Sequence, residues 1–423
     1  MLSFFRQHLE SLDPAVAGLI NNEAERQGRK VILIPSESQA PEAVREALGS
    51  VFQNIYAEGY PDSSTHGLSQ ETILDYETQL AFYRRYADRR YYKGVEYVDI
   101  LEALAQRRAA EAFTANGIPP DEIWANVQPL SGSPANSAVY DALVPLGSTV
   151  MGMDLLHGGH LTHGSPVNRS GKFYNIVSYG IDQETEHLDY DQIEALARQH
   201  RPAMIIAGYT SYPWMPDWAR FRQIADAVGA FLLADISHIA GMVAAGVVPS
   251  PVGHAHVISF TTHKTLYGPR GACILTTDKK LARRIDTAVF PGEQGGPHVN
   301  AIAGMAVAFE LACRPEFRRL QQQVVDNARH LAAELEGRGL RIPYGGTDTH
   351  MLLVDCKSVR AEWGTSPDRL SGTPLMGDPA SRILDLAGIV LNRNTIPGDR
   401  SARAPSGIRL GTPWITQRGF GTP

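Results

Sequence analysis

Apolar, strand-like runs alternate with helical patterns along residues 123–276, and this alternation constrains the fold more than any other feature. Helical patterns lie after Pro134 and at 218–228. Strands that alternate with helices favour layers built around a largely parallel sheet. The sequence therefore predicts an α/β fold. The strands are predicted at 123–129, 149–153, 203–207, 231–235, 257–260 and 272–276.

Smaller units are predicted on both sides of these strands. Asp13 and Pro14 are typical of a helix start, so residues 1–30 are expected to form an N-terminal helical arm. Residues 31–312 form the predicted large domain, and residues 313–423 a smaller α+β domain at the C-terminus. Further helices are predicted from about 41, at 96–113, 300–312, 317–336 and near 380–387, and further strands at 31–34, 350–355 and 389–391.

Residues 62–88 differ from the segments around them. A polar turn opens this segment, and a helical pattern follows it. The pattern predicts an amphipathic helix, which either covers a functional surface or packs as an ordinary structural element. Its apolar positions are Ile73, Tyr76, Leu80, Tyr83 and Ala87.

Charge and cysteine content exclude several classes of function. The formal net charge of -6 argues against a general nucleic-acid binder. The three cysteines form no CxxC pair, which indicates a reducing compartment. The N-terminus does not resemble a signal peptide, and no apolar run approaches the ~20 residues of a membrane helix. We expect a cytoplasmic protein with no membrane partner.

Lys264 follows the predicted strand at 257–260 and precedes a break at Gly-Pro-Arg-Gly. Open α/β sheets bind ligands at the carboxyl ends of their strands. Partial desolvation and the charge of Arg270 would lower the pKa of this lysine, and a neutral amine can form a Schiff base with a carbonyl. Taken alone, the run also fits an ordinary lysine in a solvated turn.

Two other segments favour a cofactor. The run Ser131–Gly132–Ser133 lies between a strand and a helix, where free amides bind phosphate. Asp235 ends a buried strand, where a carboxylate needs a partner such as a protonated pyridine nitrogen. A phosphate turn, a strand-end aspartate and a strand-end lysine, in this order, match what pyridoxal phosphate requires.

Three histidines and one arginine complete the candidates. His157, His160 and His163 are spaced for one helix face, but Gly158 and Gly159 disfavour a helix and the run has no carboxylate. We therefore predict no metal site, and expect a flat imidazole on a planar cofactor. Arg409 could bind a carboxylate in a bidentate fork or form a surface salt bridge.

Distinctive motifs are spread over nearly the whole chain: YAEGYP at 56–61, RYYKGVEYVD at 90–99, SGSPAN at 131–136, HGGHLTHGSPVN at 157–168, TTHKTLYGPRG at 261–271, FPGEQGGP at 290–297 and SGIRLGTPWITQRGF at 406–420. Through these motifs the sequence resembles serine hydroxymethyltransferase, a fold-type I pyridoxal phosphate enzyme. This resemblance implies a large domain with a mostly parallel, seven-stranded type of sheet flanked by helices. It also implies conversion of serine and tetrahydrofolate to glycine and 5,10-methylenetetrahydrofolate.

The resemblance also implies a role for each matching residue. Lys264 would hold pyridoxal phosphate covalently, Asp235 would pair with its pyridine nitrogen, and His160 would stack on its ring. The other cofactor-binding residues would be Ser131, Gly132, Ser133, Tyr56, Thr210, Ser237, His238 and Arg270, with Gly295 and Gly296 of the partner subunit. Among these, Thr210 and His238 would contact the phenolic oxygen.

Catalysis and substrate binding involve a second set of implied residues. Glu58 would be the acid–base group, and His263 and Thr261 would act beside Lys264. Arg409 and Ser36 would hold the carboxylate of the amino-acid substrate, and Leu155, Leu161 and Asn394 would meet the folate. The other substrate-binding residues would be Glu58, Tyr91, Tyr92 and Gly159. Because several of these residues act across an interface, a homodimer with shared active sites is implied, either alone or within a tetramer.

The chain departs from the family pattern in places. Residues 62–88 are inserted where the family has a very short link, Glu293 stands where Gly is usual, and the chain stops at Pro423, before a usual helical segment. We therefore expect a truncated small domain. The insertion keeps two rivals open, a folate-independent β-hydroxy-amino-acid aldolase and an α-methylserine hydroxymethyltransferase. A non-catalytic binding protein is a third.

Overall fold

The computed structural model describes residues 4–86, 90–359 and 374–422. The helices are α1 (Leu9–Leu12), α2 (Pro14–Arg29), α3 (Glu42–Leu48), α4 (Gln70–Ile73), α5 (Tyr76–Tyr86), α6 (Glu96–Ala112), α7 (Gly132–Leu143), α8 (Arg169–Phe173), α9 (Tyr190–His200), α10 (Trp218–Val228), α11 (Ala240–Ala244), α12 (Lys279–Thr287), α13 (Val299–Ala312), α14 (Pro315–Gly337), α15 (Gly377–Leu386) and α16 (Pro413–Gln417). The strands are β1 (Val31–Ile32), β2 (Trp124–Asn126), β3 (Thr149–Met153), β4 (Asn175–Tyr179), β5 (Met204–Ala207), β6 (Phe231–Asp235), β7 (Val257–Thr261), β8 (Ala272–Thr276), β9 (Met351–Asp355), β10 (Ile389–Val390), β11 (Asn392–Asn394) and β12 (Gly407–Gly411).

Seven strands form the central sheet in the order β2-β8-β7-β6-β5-β3-β4. The pairs from β7 to β4 are all parallel, whereas β8 runs antiparallel to both of its neighbours. Every residue of β5, β7 and β8 is buried, as expected for strands covered by helices on both faces. This architecture confirms the predicted α/β class.

Strand β4 and helix α9 were not predicted from the sequence. Strand β4 is the last strand of the sheet, and only one of its five residues is buried. An edge strand of this kind lacks the continuous apolar run that marks β5 to β8. The opposite edge strand, β2, is shorter than the predicted strand at 123–129, since only Trp124–Asn126 pairs with β8.

A second, antiparallel sheet lies towards the C-terminus, in the order β11-β12-β9. The chain after β1 is tied to it, because the amide of Gly411 donates to the carbonyl of Leu33 at 2.8 Å. Pro35 packs so closely that a Cβ on Gly411 would lie 2.4 Å from its Cα. This contact brings the segment that begins at Ser36 beside β12.

In its described residues, 62–86, the segment 62–88 forms two α-helices, α4 and α5, where one was predicted. The break comes at Asp75, whose carboxylate accepts hydrogen bonds from the amide and hydroxyl of Thr78 and so starts α5 separately. In α4, Ile73 is buried against α6, but none of the described residues of α5 is buried. Ala87 lies outside the described residues. Among the described helices, none is both long and apolar enough to cross a membrane.

A buried arginine holds the chain where this segment returns. Arg90 is 2% exposed and forms ion pairs with Glu102 at 2.6 Å and with Asp99 at 2.5 Å. Its Nη1 also donates to the carbonyls of Ala57 at 3.0 Å and Gly59 at 2.9 Å. All of these bonds are charge-assisted, and the guanidinium that donates them is buried, which makes them strong.

The same network fixes the chain before the segment leaves. Gln128 donates to the carbonyl of Gly59 at 2.7 Å, and the amide of Tyr91 donates to the carbonyl of Glu58 at 3.0 Å. The two ends of the segment therefore meet at Arg90. This explains how 27 residues, 62–88, can be accommodated while the loop that carries Glu58 keeps its position.

Replacing Arg90 with Met should lower the free energy of unfolding by about 3–5 kcal/mol, because it leaves the buried Glu102 carboxylate unpaired. As a control, Arg198→Met removes an exposed pair with Glu194 and should cost at most about 1 kcal/mol. Urea unfolding of both variants measures the two free energies of unfolding. Equal losses of stability would contradict a structural role for the buried ion pairs of Arg90.

Candidate active site

Lys264 lies three residues past the end of β7, at the carboxyl edge of the parallel strands. It lines an open cleft of about 1010 Å³. Burial lowers the pKa of Lys264 to about 8, and the positive charges of Arg409 and Arg270 act in the same direction, against the opposing effect of Asp235. On the order of a tenth of this lysine would therefore be neutral at pH 7, far more than for a lysine of ordinary pKa.

Asp235 ends β6, the parallel neighbour of β7, so its carboxylate reaches the same cleft. Its Oδ2 accepts from Asn136 at 2.9 Å and contacts Nε2 of His163 at 3.0 Å, and its Oδ1 accepts from Ser237 at 2.6 Å. Burial alone would raise the pKa of Asp235, but the hydrogen bonds of His163 and Ser237 and nearby positive charge hold it well below its ordinary value. The group is a permanent anion.

Helix α7 begins at Gly132, two residues earlier than the predicted start after Pro134. Ser131 precedes it as N-cap but makes no side-chain capping bond, so the amides of the first turn remain available to an anion. A Cβ on Gly132 would lie 2.8 Å from Cγ2 of Thr261. Only glycine allows this close approach of the helix start to the end of β7.

Arg409 lies in the middle of β12 and is 7% exposed. Its guanidinium donates to the carbonyl of Thr210 at 2.6 Å and to Oδ1 of Asn392 at 3.2 Å. In the described part of the chain no carboxylate pairs with it, and burial lowers its pKa to about 10. The surface salt bridge considered as its alternative role is therefore wrong in this structure.

Most of the predicted residues meet in this one cleft. His160 is partly buried there, and desolvation together with the charge of His163 lowers its pKa to about 4, so its ring is neutral and flat. Burial likewise lowers the pKa of His263 to about 3. The predicted residues that line the cleft are Ser36, Ser131, Gly132, Ser133, His160, Thr210, Asp235, Ser237, His238, Thr261, His263, Lys264, Arg270 and Arg409.

A second group of predicted residues is gathered away from this cleft. Tyr56 donates to Glu58 at 3.2 Å, and its ring lies 4.7 Å from that of Tyr92. A Cβ on Gly295 would lie 3.2 Å from Oε1 of Glu58, and one on Gly296 would lie 2.9 Å from Cζ of Tyr56. The structure thus brings together the residues expected to act across an interface, and Tyr91 contacts the same group through Tyr92.

Four predicted residues belong to neither group. Leu155 and Leu161 are exposed, at 38% and 45%. Gly159 is buried in a tight turn, where a Cβ would lie 2.0 Å from the carbonyl oxygen of Met153. Asn394 lies in β11, and its amide donates to the carbonyl of Thr395.

Several residues of the cleft were missed as site residues. Asn136 and His163 hold Asp235, and Glu37 and Tyr209 line the cleft. Burial raises the pKa of Glu37. The signal was present for the first two, because Asn136 closes SGSPAN and His163 lies in HGGHLTH. Their contacts with Asp235 depend on the tertiary structure.

Glu293 also has a structural explanation. Its carboxylate forms an ion pair with Arg169 at 2.5 Å, and Arg169 is stacked on Phe173. The negative charge next to the glycine-rich loop is therefore neutralised within the chain. In the described residues, no group of three or more His, Cys, Asp or Glu side chains could hold a metal ion.

A strand-end lysine, a carboxylate anion and an open helix start around one cleft of a mostly parallel sheet define the class of fold-type I pyridoxal phosphate enzymes. A family model described as serine hydroxymethyltransferase matches residues 9–85 and 81–423, and its two pieces meet inside the segment 62–88. A serine hydroxymethyltransferase from Nostoc punctiforme (strain ATCC 29133 / PCC 73102) is 48% identical over 414 residues, which cover 98% of this chain and 86% of that protein. The chain belongs to the serine hydroxymethyltransferase family.

The lowered pKa of Lys264 predicts a pH-dependent stability. In the cofactor-free protein, its burial should cost about 3 kcal/mol below pH 8, because the unfolded lysine holds its proton up to its ordinary pKa of 10.5. The cost should vanish as the pH rises from about 8 to 10.5. The free energies of unfolding of the wild type and of Lys264→Met should therefore converge over this pH range. A difference that does not change with pH would contradict the lowered pKa of Lys264.

Proposed function

We propose that this chain is a pyridoxal phosphate-dependent serine hydroxymethyltransferase that interconverts serine plus tetrahydrofolate with glycine plus 5,10-methylenetetrahydrofolate. The observation that carries the proposal is the meeting of Lys264, Asp235 and Arg409 in one cleft. The amine of Lys264, which can be neutral, suits the aldehyde of the cofactor, and the fixed anion of Asp235 suits its pyridinium. The buried, unpaired cation of Arg409 suits the carboxylate of the substrate. The activity in the name of the Nostoc relative supports the same reaction.

The residues of the cleft fit pyridoxal phosphate by an independent criterion. Oγ1 of Thr261 and Nδ1 of His263 are buried and have no hydrogen-bond partner in the described chain. Buried polar groups without partners are rare in proteins, so these two atoms indicate a polar ligand. When bound, the cofactor would supply an electron sink for the electron pair released at the α-carbon of the substrate.

The protein's own groups would bind and orient the amino acid. Arg409, with Ser36 beside it, would bind the substrate carboxylate, since a buried guanidinium gains most from a bidentate anion. Lys264 would accept and return a proton at its Nζ atom, which its lowered pKa allows. Glu58 would act as acid–base group near the hydroxymethyl carbon, and Leu155, Leu161 and Asn394 would contact the folate.

Glu58 would reach this chemistry from a second subunit. Because Tyr56, Glu58 and Tyr92 lie with Gly295 and Gly296 away from the cleft of their own chain, the proposal includes a homodimer in which this group completes the partner's cleft. Pairing of two dimers into a tetramer would leave such sites intact. The proposal also keeps a helical arm at 1–30, a large domain at 31–312, a small domain at 313–423 and a cytoplasmic location.

The covalent role of Lys264 can be tested without measuring activity. Borohydride reduction of the protein with pyridoxal phosphate should fix the cofactor on the peptide that contains Lys264, as read by mass spectrometry. Lys264→Ala should lose both this adduct and the visible absorbance band of the bound cofactor. The control is Lys279→Ala. The native Lys279 lies over the ring of Trp124, outside the cleft, so this variant should keep both the adduct and the absorbance band. An adduct on another lysine would refute the assignment.

Folate dependence separates the proposed reaction from its rivals. Serine cleavage should require tetrahydrofolate, because the one-carbon unit needs an acceptor. Equal cleavage of serine with and without folate would indicate the aldolase. A preference for α-methylserine over serine would indicate the α-methylserine hydroxymethyltransferase. Bound cofactor with no turnover of any of these substrates would indicate a binding protein.

Shared sites predict complementation between two inactive variants. Lys264→Ala should be inactive in its own cleft, and Glu58→Gln in the partner's cleft. Mixed and re-associated at equal amounts, they should recover about a quarter of wild-type activity, since half of the dimers carry one intact site. Recovery should be absent from either variant treated alone. If the mixture also remains inactive while hybrid dimers form, each site belongs to a single subunit.

A further inference from the structure

His238 and His350 are in contact beside the cleft. His238 follows β6 and lines the cleft, whereas His350 directly precedes β9 of the antiparallel sheet. Nδ1 of His238 lies 3.2 Å from Nε2 of His350, and the two ring planes are 26° apart. Both side chains are buried, at 3% and 0% exposure. A hydrogen bond between two rings from different sheets requires a specific orientation of both, because the donor must face the acceptor.

Both rings are neutral. Burial, together with the positive charges of Lys264 and Arg409, lowers the pKa of His238 well below its ordinary value. The same influences lower the pKa of His350 to about 3. A neutral imidazole carries one N–H and one lone pair, so one of the two rings donates to the other. The direction of this bond determines which nitrogen of His238 is left with a proton.

Pro35 decides the direction. Its backbone acts on His350 as a hydrogen-bonding group that opposes the effect of burial. Proline has no N–H, so the group it offers is a carbonyl oxygen. Nδ1 of His350 is buried and has no hydrogen-bond partner in the described chain. Because Nε2 of the same ring faces His238, Nδ1 is the nitrogen left for the carbonyl, and an N–H opposite a carbonyl oxygen is favoured over a lone pair. With Nδ1 protonated, Nε2 of His350 is the acceptor.

We propose that His350 is a positioning residue, which accepts the Nδ1–H of His238 and thereby keeps Nε2 of His238 unprotonated as a hydrogen-bond acceptor for the group bound in the cleft. The group that this acceptor suits is a hydroxyl donor, such as the ring hydroxyl of pyridoxal phosphate. This part of the inference rests on the proposed function, whereas the state of His238 does not.

The backbone around His238 is held rigidly enough for this effect to matter. Oγ1 of Thr265 donates to the carbonyl of His238 at 3.0 Å and accepts from the amide of Gly241 at 3.0 Å. The carbonyl of Thr265 accepts in turn from Gln321 at 2.6 Å. Because these bonds fix the backbone of His238 beside the residue after Lys264, removal of the ring's partner is expected to change the protonation of the ring without displacing the backbone.

The state of His238 can be read directly by NMR. In ¹⁵N-histidine-labelled protein without added cofactor, two-bond ¹H–¹⁵N correlations distinguish a proton on Nδ1 from one on Nε2, and His238→Asn identifies the signals. We expect Nδ1–H in the wild type and in His350→Gln, whose amide oxygen can accept the same bond. His350→Phe should shift His238 towards Nε2–H. A proton on Nε2 in the wild type, or no shift in His350→Phe, would overturn the proposal.

Cofactor binding provides a second readout. His350→Phe should weaken pyridoxal phosphate binding by roughly two- to ten-fold, the range of one neutral hydrogen bond, and change the ratio of its absorbance bands. His350→Gln should restore both. In a His238→Asn background, His350→Phe should change neither, and equal effects in both backgrounds would show a purely structural role. If borohydride reduction gives no cofactor adduct on Lys264, the proposed function is refuted. The NMR experiment, which uses protein without added cofactor, still tests the protonation of His238.

Discussion

The site depends on the parallel pairing of β6 and β7. Asp235 is in register with Ser259, so the carboxylate at the end of one strand and Lys264 beyond the end of the next reach the same edge of the sheet. At this edge burial disfavours the charged form of Lys264 and lowers its pKa. Hydrogen bonds keep Asp235 ionised in spite of its burial. One geometric constraint therefore produces an amine that can be neutral next to a permanent anion.

The antiparallel sheet supplies what the central sheet lacks. Arg409 reaches the cleft from β12, and the carbonyl of Thr210 holds its guanidinium from the other side. His350, from the segment before β9, meets His238 at the same junction. The position of the buried guanidinium and the contact between the two histidines thus depend on how the two sheets meet. This contact between the sheets includes the close packing of Pro35 on Gly411.

Much of the fold could be predicted, because the buried strands are continuous apolar runs. The predicted strands at 149–153, 231–235 and 272–276 have the bounds observed for β3, β6 and β8. Edge strands were predicted less well, since β4 is largely exposed and β2 pairs on one side only. The prediction of a single helix in segment 62–88 was wrong. The carboxylate of Asp75 accepts hydrogen bonds from Thr78 and separates α4 from α5. The spacing of apolar residues does not reveal a hydrogen bond of this kind.

The sequence by itself determined the class of sheet, the family and the chemical groups of the site, because each is written in a local pattern or motif. The tertiary structure decided which of these groups share a cleft. It separated Glu58 from Lys264, gave Asp235 its partners Asn136 and His163, and neutralised Glu293 with Arg169. Contacts of this kind join residues distant in the chain, and they exist only once the strands have paired and the sheets have packed.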